Sequence, residues 1–284
     1  MPSMKDIKRR ITSVKNTQQI MKAMNLVAAS KVQKFKNRLM AVRPMFDEAK
    51  EFMANGVPTQ DALESDFYKA REVKRTAYVV LSGERGLCGS YNANVLKTAF
   101  NHMEANGKNE HIIAVGAKCK EYFLRRRKTI VESHTGVLEN VTYDSASDIA
   151  WQLVEMYTSE DAEIRVDEAY IVFTHFETIL SQEPQVVKLL PFEPPPPESQ
   201  REEIYEPDII TYLQKAVPIY LTKFVYGAMV EASVCEQASR MTSMDAAARN
   251  AGEIVDDLTL QYNRQRQGAI TQEISEIVGG ANAI

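Results

Sequence analysis

The sequence is poor in the residues that build disulfide frameworks and metal sites. Its 284 residues include only three cysteines and four histidines. Cys88, Cys119 and Cys235 lie far apart and form no CxxC pair, so the sequence predicts neither a disulfide framework nor a zinc site. Unpaired thiols of this kind are typical of proteins in a reducing compartment.

The sequence also lacks a recognisable catalytic grouping and a long apolar run. No two of its histidines stand four residues apart, and none lies close to Cys88 in the chain, so no catalytic or metal-binding residue is predicted. No apolar stretch approaches the roughly 18 residues of a membrane-spanning helix. Any association with a membrane is therefore expected to go through partner proteins.

A glycine-containing turn, Ser82–Gly89, follows a predicted strand, which is where phosphates often bind in α/β proteins. Its glycines match neither the G-x-G-x-x-G fingerprint of dinucleotide sites nor the phosphate loop, because no Lys-Ser or Lys-Thr follows them. Nucleotide binding stays open here only as a minor alternative. No cofactor is predicted.

Charge is distributed unevenly along the chain. Residues 1–50 contain 12 Lys and Arg against 3 Asp and Glu, whereas residues 51–284 contain 22 against 35. A basic segment attached to an acidic body favours an acidic partner along that segment, although an ordinary solvated helix face would give the same count.

The N-terminal segment has the periodicity of a coiled-coil helix. Twelve positions spaced alternately by four and three residues form a seam, and ten of them are apolar. The seam positions are Ile7, Ile11, Val14, Gln18, Met21, Asn25, Ala28, Val32, Phe35, Leu39, Val42 and Phe46. Ser3 and Asp6 have the form of a capping box, which ties the first residues to the fold and argues against a transit peptide, with Met1 as the start.

A second, longer helical pattern runs from beyond Pro218 to about Val278. Its seam positions are Met241, Met244, Ala248, Ala251, Val255, Leu258 and Tyr262, and the pattern slips before it resumes at Ile270, Ile274 and Ile277. An antiparallel pair with the shorter N-terminal helix leaves the end of this helix without a partner. After Glu276 the chain has no charge and is small and largely apolar.

Between the two helical segments, short apolar runs alternate with helical patterns. Strands are predicted at Ala77–Leu81, His111–Val115 and Ala169–Phe173, helices at Ala93–Asn106, Ala117–Arg127 and Ser145–Tyr157, and an added edge strand at Gln185–Leu190. This order favours a Rossmann-like α/β domain with a parallel sheet. The predicted domains are a coiled-coil helix at 1–56, the α/β domain at 74–192 and a coiled-coil helix at 208–284. A polyproline stretch, Pro194–Pro197, is predicted as a stiff surface connection, with a docking peptide as the alternative interpretation.

Three stretches of the sequence resemble the gamma subunit family of F-type ATP synthases. The first covers Lys5–Lys31, the second is the Gly-Leu-Cys-Gly turn within Ser82–Gly89, and the third covers Asp256–Ala283. Glu84 stands where the family more often has Asp, and the redox-regulatory cysteine insertion of chloroplast members is absent. The resemblance extends over essentially the whole chain and is of bacterial type.

The resemblance implies a central-stalk rotor subunit with no catalytic residue of its own. Its antiparallel coiled coil would turn inside a ring of alpha and beta subunits, and its Rossmann-like domain would rest on the membrane c-ring beside the epsilon subunit. Ion flow would thus be coupled to ATP synthesis or hydrolysis at beta. The chain would be peripheral to the bacterial cell membrane on its cytoplasmic side, with no nucleic-acid partner.

The resemblance also implies which residues contact partners. Met24, Arg240, Arg266, Gln267 and Thr271 correspond to contacts with the beta subunit, and Ile277, Val278 and Ala281 to a bearing tip inside the ring. Met24 as a packing residue, and Arg240 and Arg266 as solvated helix charges, are the plainer interpretations.

Three other functions are compatible with part of the pattern. A coiled-coil structural adaptor and a stand-alone α/β nucleotide-binding enzyme are two of them. A DNA-binding coiled coil is the third, but it would place its basic block before the zipper, whereas here the basic residues are interleaved with the seam.

Overall fold

The computed structural model describes residues 3–55, 60–69, 71–106, 108–193 and 205–281. The predicted polyproline stretch at 194–197 lies outside these residues. The chain divides into two compact units. Ser30–Ser239 forms the central unit, and the chain up to Ala29 together with the chain from Arg240 forms the second, here called the terminal helix pair.

The described part of the chain contains five α-helices, five strands and a short 3-10 helix at Gln60–Glu64. The helices are α1 (Met4–Asn55), α2 (Tyr91–Asn106), α3 (Ala117–Arg125), α4 (Tyr143–Thr158) and α5 (Ile209–Ala281). The strands are β1 (Arg75–Leu81), β2 (Asn109–Val115), β3 (Ile130–His134), β4 (Glu168–Phe176) and β5 (Gln182–Leu190).

The five strands form one mixed sheet in the order β3-β2-β1-β4-β5. Strands β1 to β4 are parallel to one another, and β5 is antiparallel to β4 at one edge. The prediction of a Rossmann-like α/β arrangement with an added edge strand is therefore confirmed.

One strand was not predicted. The sequence of β3, Ile-Val-Glu-Ser-His, has no long apolar run, and all five of its residues are partly or fully exposed. Because β3 lies at the sheet edge, only β2 pairs with it, and a half-exposed polar strand gives little periodic signal.

The two faces of the sheet have separate hydrophobic cores. Alternate residues of β1 illustrate this, since Val79 and Leu81 belong to the larger core and Tyr78 and Val80 to the smaller one. The larger core includes side chains of α4 and of the parts of α1 and α5 within the central unit. The smaller core is formed with α2 and α3.

A close approach of α1 and α5 within the larger core depends on Gly227. A methyl group added there would lie 2.3 Å from ring carbons of Phe46, which is fully buried. The Phe46 ring packs edge-on against Phe224 and Phe173, with ring centroids 5.1 and 6.5 Å apart. The glycine is therefore required for space.

Both long helices contain a proline. Helix α1 continues through Pro44 to Asn55, and α5 begins nine residues before Pro218. Asp208 precedes α5 and accepts hydrogen bonds from the Thr211 backbone nitrogen at 2.8 Å and its hydroxyl at 2.7 Å. This cap fixes the start of α5 upstream of Pro218.

Candidate partner-contact surface of the terminal helices

The predicted seam of α1 faces inward along its whole length. Every one of its twelve positions is buried or half-buried, whereas most positions between them are exposed. In α5 the seam residues from Met241 to Tyr262 are likewise buried or half-buried. Ser3 and Asp6 form the predicted capping box, with reciprocal bonds of 3.1 and 3.2 Å.

The two polar seam residues of α1 join the terminal helix pair by hydrogen bonds. The Gln18 side-chain amide donates to the Ala248 carbonyl at 3.0 Å, and that of Asn25 donates to the Met241 carbonyl at 2.8 Å. The two donors are seven residues apart on α1, and their two acceptors are seven residues apart on α5 in the reverse order. The pair is therefore antiparallel, as predicted.

A shallow cavity of about 400 Å³ opens beside these hydrogen bonds. Its lining residues include Lys22 and Leu26 from α1 and the ion pair of Arg249 with Asp245 from α5. The Leu26 side chain is 70% exposed. The cavity thus presents an exposed apolar side chain between charged groups, a pattern suited to a protein contact.

Helix α5 extends beyond the start of α1. Helix α1 begins at Met4, and the register of the two hydrogen bonds places this residue beside Tyr262 of α5. Helix α5 continues beyond that point to Ala281. Ile270, Ile274 and Ile277 beyond this point are 47, 56 and 67% exposed. The resumed seam is therefore an unpaired apolar stripe, as the difference in helix length predicts.

The structure places the predicted beta-contact residues in two different environments. Met24 is half-buried, and Arg240 is only 8% exposed, so the interpretation of Arg240 as a solvated charge is wrong. Arg266, Gln267 and Thr271 are exposed on the unpaired part of α5. The last three are close together in the helix, whereas Met24 and Arg240 are a separate group.

Two hydroxyl groups on the unpaired part of α5 donate hydrogen bonds within the helix. The Thr271 hydroxyl donates to the Gln267 carbonyl at 2.9 Å, and the Ser275 hydroxyl donates to the Thr271 carbonyl at 2.8 Å. Of the predicted tip residues, Ile277 and Val278 are 67 and 54% exposed, and Ala281 is the last residue of α5. Ile277 and Val278 thus offer a partner exposed apolar area near the end of α5.

The Ser82–Gly89 turn lies at the carboxyl end of β1, and its Glu84 side chain binds two other segments of the chain. The Glu84 carboxylate accepts hydrogen bonds from the Ala117 nitrogen at 3.0 Å and the Gly136 nitrogen at 2.7 Å. Ala117 is the first residue of α3, so Glu84 supplies the anion at that helix terminus.

Helix α5 closes the same turn from the other side. The Tyr91 hydroxyl donates to the Ala232 carbonyl at 3.1 Å, and a methyl group added at Gly83 would lie 2.9 Å from the Glu236 carboxyl carbon. Burial raises the pKa of Tyr91 well above its ordinary value, so its hydroxyl stays protonated. In doubly wound folds, ligands usually bind in a crevice at the carboxyl ends of the strands. Here α5 occupies that crevice beside the carboxyl end of β1.

The histidines and cysteines have separate structural environments. His102 contacts the Tyr78 hydroxyl at 3.0 Å, and His175 contacts the buried Glu231 carboxylate at 3.0 Å. All three cysteines are buried and free, and burial raises the pKa of the Cys119 and Cys235 thiols. None of the described residues forms a nucleophile and base arrangement.

Comparison with known proteins gives a match over nearly the whole chain. A family model described as ATP synthase matches residues 3–284. The chain is 42% identical to the ATP synthase gamma chain of Desulforamulus reducens and 38% identical to that of Pelotomaculum thermopropionicum, each over 100% of both chains. The chain belongs to the ATP synthase gamma chain family. It is thus a non-catalytic part of that enzyme, and the alternatives of a stand-alone enzyme, an adaptor or a DNA-binding protein are set aside.

Solved structures share the fold. A chain in the central stalk and c-ring structure of Tetrahymena thermophila mitochondrial ATP synthase matches with a TM-score of 0.63 and 25% identity, over 80% of this chain and 99% of that one. A chain of the Euglena gracilis mitochondrial ATP synthase matches with a TM-score of 0.69 and 20% identity, over 99% and 94%. Among the described residues, no helix combines the length and apolar character needed to cross a bilayer.

The hydrogen bonds of Gln18 and Asn25 were not predicted as functional contacts. The sequence did contain their signal, because a polar residue at an otherwise apolar seam position commonly fixes the register of a coiled coil. Each carbonyl that accepts from them lies inside α5, where it can also accept the ordinary helical hydrogen bond.

Replacing Gln18 and Asn25 together with leucine is expected to loosen the register without lowering stability. The change removes both donors, leaves no helix carbonyl without a partner and adds apolar burial of about 1–2 kcal/mol per side chain. Spin labels at the exposed positions Ser13 and Glu253 should give one narrow distance distribution in the parent chain and a broader one in the variant. An equally narrow distribution would show that apolar packing alone sets the register.

Proposed function

We propose that the terminal helix pair is the rotating shaft of an F1 central stalk, turning inside a ring of alpha and beta subunits. The observation that carries the proposal is the apolar stripe on the unpaired end of α5, with three isoleucines about half exposed or more. Fully burying such a side chain contributes about 1.5–3 kcal/mol, so a surrounding apolar sleeve would stabilise this segment.

The proposed mechanism depends on the asymmetry of the shaft. An asymmetric helix pair cannot present the same face to three identical beta subunits at once, so each subunit is biased towards a different conformation. Turning the shaft moves this bias around the ring. Coupling requires different contact energies with the different beta conformations, because equal contact would shift none of them.

Charge and position support the proposed contacts. All six Lys and Arg residues of α1 up to Ala29 are exposed, which suits an acidic segment of beta. Met24 and Arg240 would form one contact region, and Arg266, Gln267 and Thr271 the second. Ile277, Val278 and Ala281 would form the bearing tip.

The remaining assignments follow the same proposal. Residues 1–56 and 208–284 would be the coiled-coil segments and residues 74–192 the domain that rests on the c-ring and binds the epsilon subunit. The chain would then be held at the cytoplasmic side of a bacterial membrane through these partners. The proposed role is the coupling of ion flow to ATP synthesis or hydrolysis at beta.

Coexpression with alpha and beta subunits of a bacterial relative tests the proposal. The chain should elute with them as one complex in size-exclusion chromatography, and the complex should hydrolyse ATP. A matched chain with Ile270, Ile274 and Ile277 changed to leucine should behave in the same way, because the stripe stays apolar. Elution of the parent chain apart from alpha and beta would refute the shaft.

Replacing Met24 with lysine is expected to uncouple the complex while hydrolysis continues. The substitution adds a cation to a half-buried position of the proposed beta contact, where pairing with a beta carboxylate would stabilise some rotary positions over others. ATP-driven ion pumping into reconstituted vesicles should fall severalfold relative to ATP hydrolysis. Met24→Leu is the control and should pump normally. Unchanged pumping per ATP in Met24→Lys would count against this contact.

A further inference from the structure

The central unit has a positively charged cavity at the amino ends of its strands, on the edge of the sheet opposite the Ser82–Gly89 turn. It has a volume of about 480 Å³ and is formed by residues that precede or begin β1, the first residue of β2, and the connection from α4 to β4. Its charged lining residues are Arg71, Lys74, Arg75, Arg165, Glu72 and Asp167.

The cavity contrasts with the charge of the chain around it. Four basic and two acidic side chains line it, a surplus of two positive charges, whereas residues 51–284 as a whole carry 13 more acidic than basic residues. A concave site with a surplus of one sign of charge attracts ions of the opposite sign. The cavity is thus a local anion-attracting site in an acidic domain.

Asp167, one of the two acidic residues that line the cavity, accepts hydrogen bonds from the backbone. One Asp167 carboxylate oxygen accepts hydrogen bonds from the Lys74 nitrogen at 2.9 Å and the Arg75 nitrogen at 3.1 Å. These bonds hold together the chain segments that carry the basic side chains. Asp167 therefore shapes the cavity through one carboxylate oxygen that accepts two backbone hydrogen bonds.

Two of the basic side chains are fixed in place. The Arg71 guanidinium donates to the Tyr157 carbonyl at 3.1 Å, lies over the Tyr157 ring at 4.7 Å and pairs with Asp66 at 3.4 Å. The Arg75 guanidinium donates to the Ala162 carbonyl. Within the described ranges, Lys74 and Arg165 form no ion pair with a carboxylate, so their charges are available to a ligand.

We propose that this cavity binds a phosphate group, either of a soluble phosphate ester or of a phospholipid headgroup. A phosphate monoester carries a charge of about −2 near neutral pH, and the two basic side chains without an ion pair, Lys74 and Arg165, supply two positive charges to contact it. Guanidinium groups donate paired hydrogen bonds to phosphate oxygens, and Lys74 adds a further donor. The proposal goes beyond the shaft function and does not depend on it.

Calorimetric titration of the full chain with glycerol phosphate tests the site. In Lys74→Gln/Arg165→Gln the affinity should fall about tenfold or more, because two charge-assisted contacts are lost. The matched control is Lys97→Gln/Lys120→Gln, which removes two exposed basic side chains from α2 and α3 and should bind like the parent. Circular dichroism and melting of all three proteins show whether each is folded. If the double glutamine variant is unfolded, Arg165→Lys replaces it, and it should bind more weakly because the planar donor fork is lost.

Sedimentation with phosphatidylcholine vesicles, with and without phosphatidic acid, separates the two sources of phosphate. Binding of glycerol phosphate alone supports a soluble ester, and cavity-dependent binding only to phosphatidic acid vesicles supports a headgroup. The proposal is overturned if neither probe binds or if both double variants lose binding equally. It is also overturned if an acidic peptide binds the cavity and glycerol phosphate does not displace it, which would indicate a protein partner.

Discussion

Replacing Ile270, Ile274 and Ile277 together with aspartate is expected to prevent stable assembly with alpha and beta subunits. The three side chains form the exposed apolar stripe on the unpaired part of α5. In an apolar sleeve each carboxylate would be buried without a partner, at a cost of several kcal/mol. Native gels after coexpression should show no complex with this variant.

Removing Gly279–Ile284 is the contrasting change. It deletes no charged residue and leaves the three isoleucines in place, so assembly and most ATP hydrolysis should persist. The variant with leucine in place of Ile270, Ile274 and Ile277 is the control, because it changes the same positions but keeps them apolar. If the truncation dissociates the complex while the triple aspartate variant assembles, the tip is a docking element, and the proposed bearing is wrong.

Replacing Gly227 with alanine is expected to destabilise the central unit strongly. The added methyl group would lie 2.3 Å from two ring carbons of Phe46, whose ring is enclosed by Phe224 and Phe173 and cannot move away freely. Overpacking of this kind costs about 1–3 kcal/mol, and a contact with a fully buried ring should reach the upper part of that range. The loss of stability is measured as the decrease in the urea unfolding midpoint of the full chain.

Gly268 provides the matched control for this prediction, because it also lies in α5 but has nothing within 4 Å of an added methyl group. Gly268→Ala should keep or raise the urea midpoint, since alanine favours a helix over glycine by about 1 kcal/mol. Adding Phe46→Leu to Gly227→Ala should recover part of the loss by making room. Equal midpoints for the parent and Gly227→Ala would contradict the steric explanation.

The coiled-coil helices were predictable because their seam repeats over many turns. All twelve predicted positions of α1 are buried or half-buried, and the predicted seam of α5 follows the same pattern as far as Tyr262. Repetition matters here, since a single misplaced residue does not change a period that twelve positions support. The polar members Gln18 and Asn25 were visible as exceptions, but their acceptors could be identified only from the register of the pair.

The central strands were predictable for a different reason. Strands β1, β2 and β4 contain short apolar runs because both of their faces are covered by core side chains. The edge strand β3 lacks that burial, so it lacks the pattern. The helical pattern was predicted only from beyond Pro218, whereas α5 begins at Ile209. The Asp208 cap and packing in the larger core stabilise the helix before the proline.

The candidate sites were predictable only in part. The apolar stripe of α5 and the absence of a phosphate-loop motif both follow from residue order. The burial of Arg240, the occupation of the α3 terminus by Glu84 and the basic cavity do not, because each depends on residues distant in the chain. Lys74 and Arg165 are 91 positions apart in the numbering, and nothing local links them.

The sequence by itself determined the family, the two long helices, the α/β order of the central unit and the apolar stripe beyond Tyr262. These are properties of local composition and period, which each segment carries independently of its neighbours. The tertiary structure alone decided the hydrogen-bonded register of the terminal helix pair, the closure of the β1 crevice by Glu84 and α5, and the convergence of four basic side chains on one cavity. Each of these requires contacts between segments that are distant in the sequence, and local composition and period do not specify such contacts.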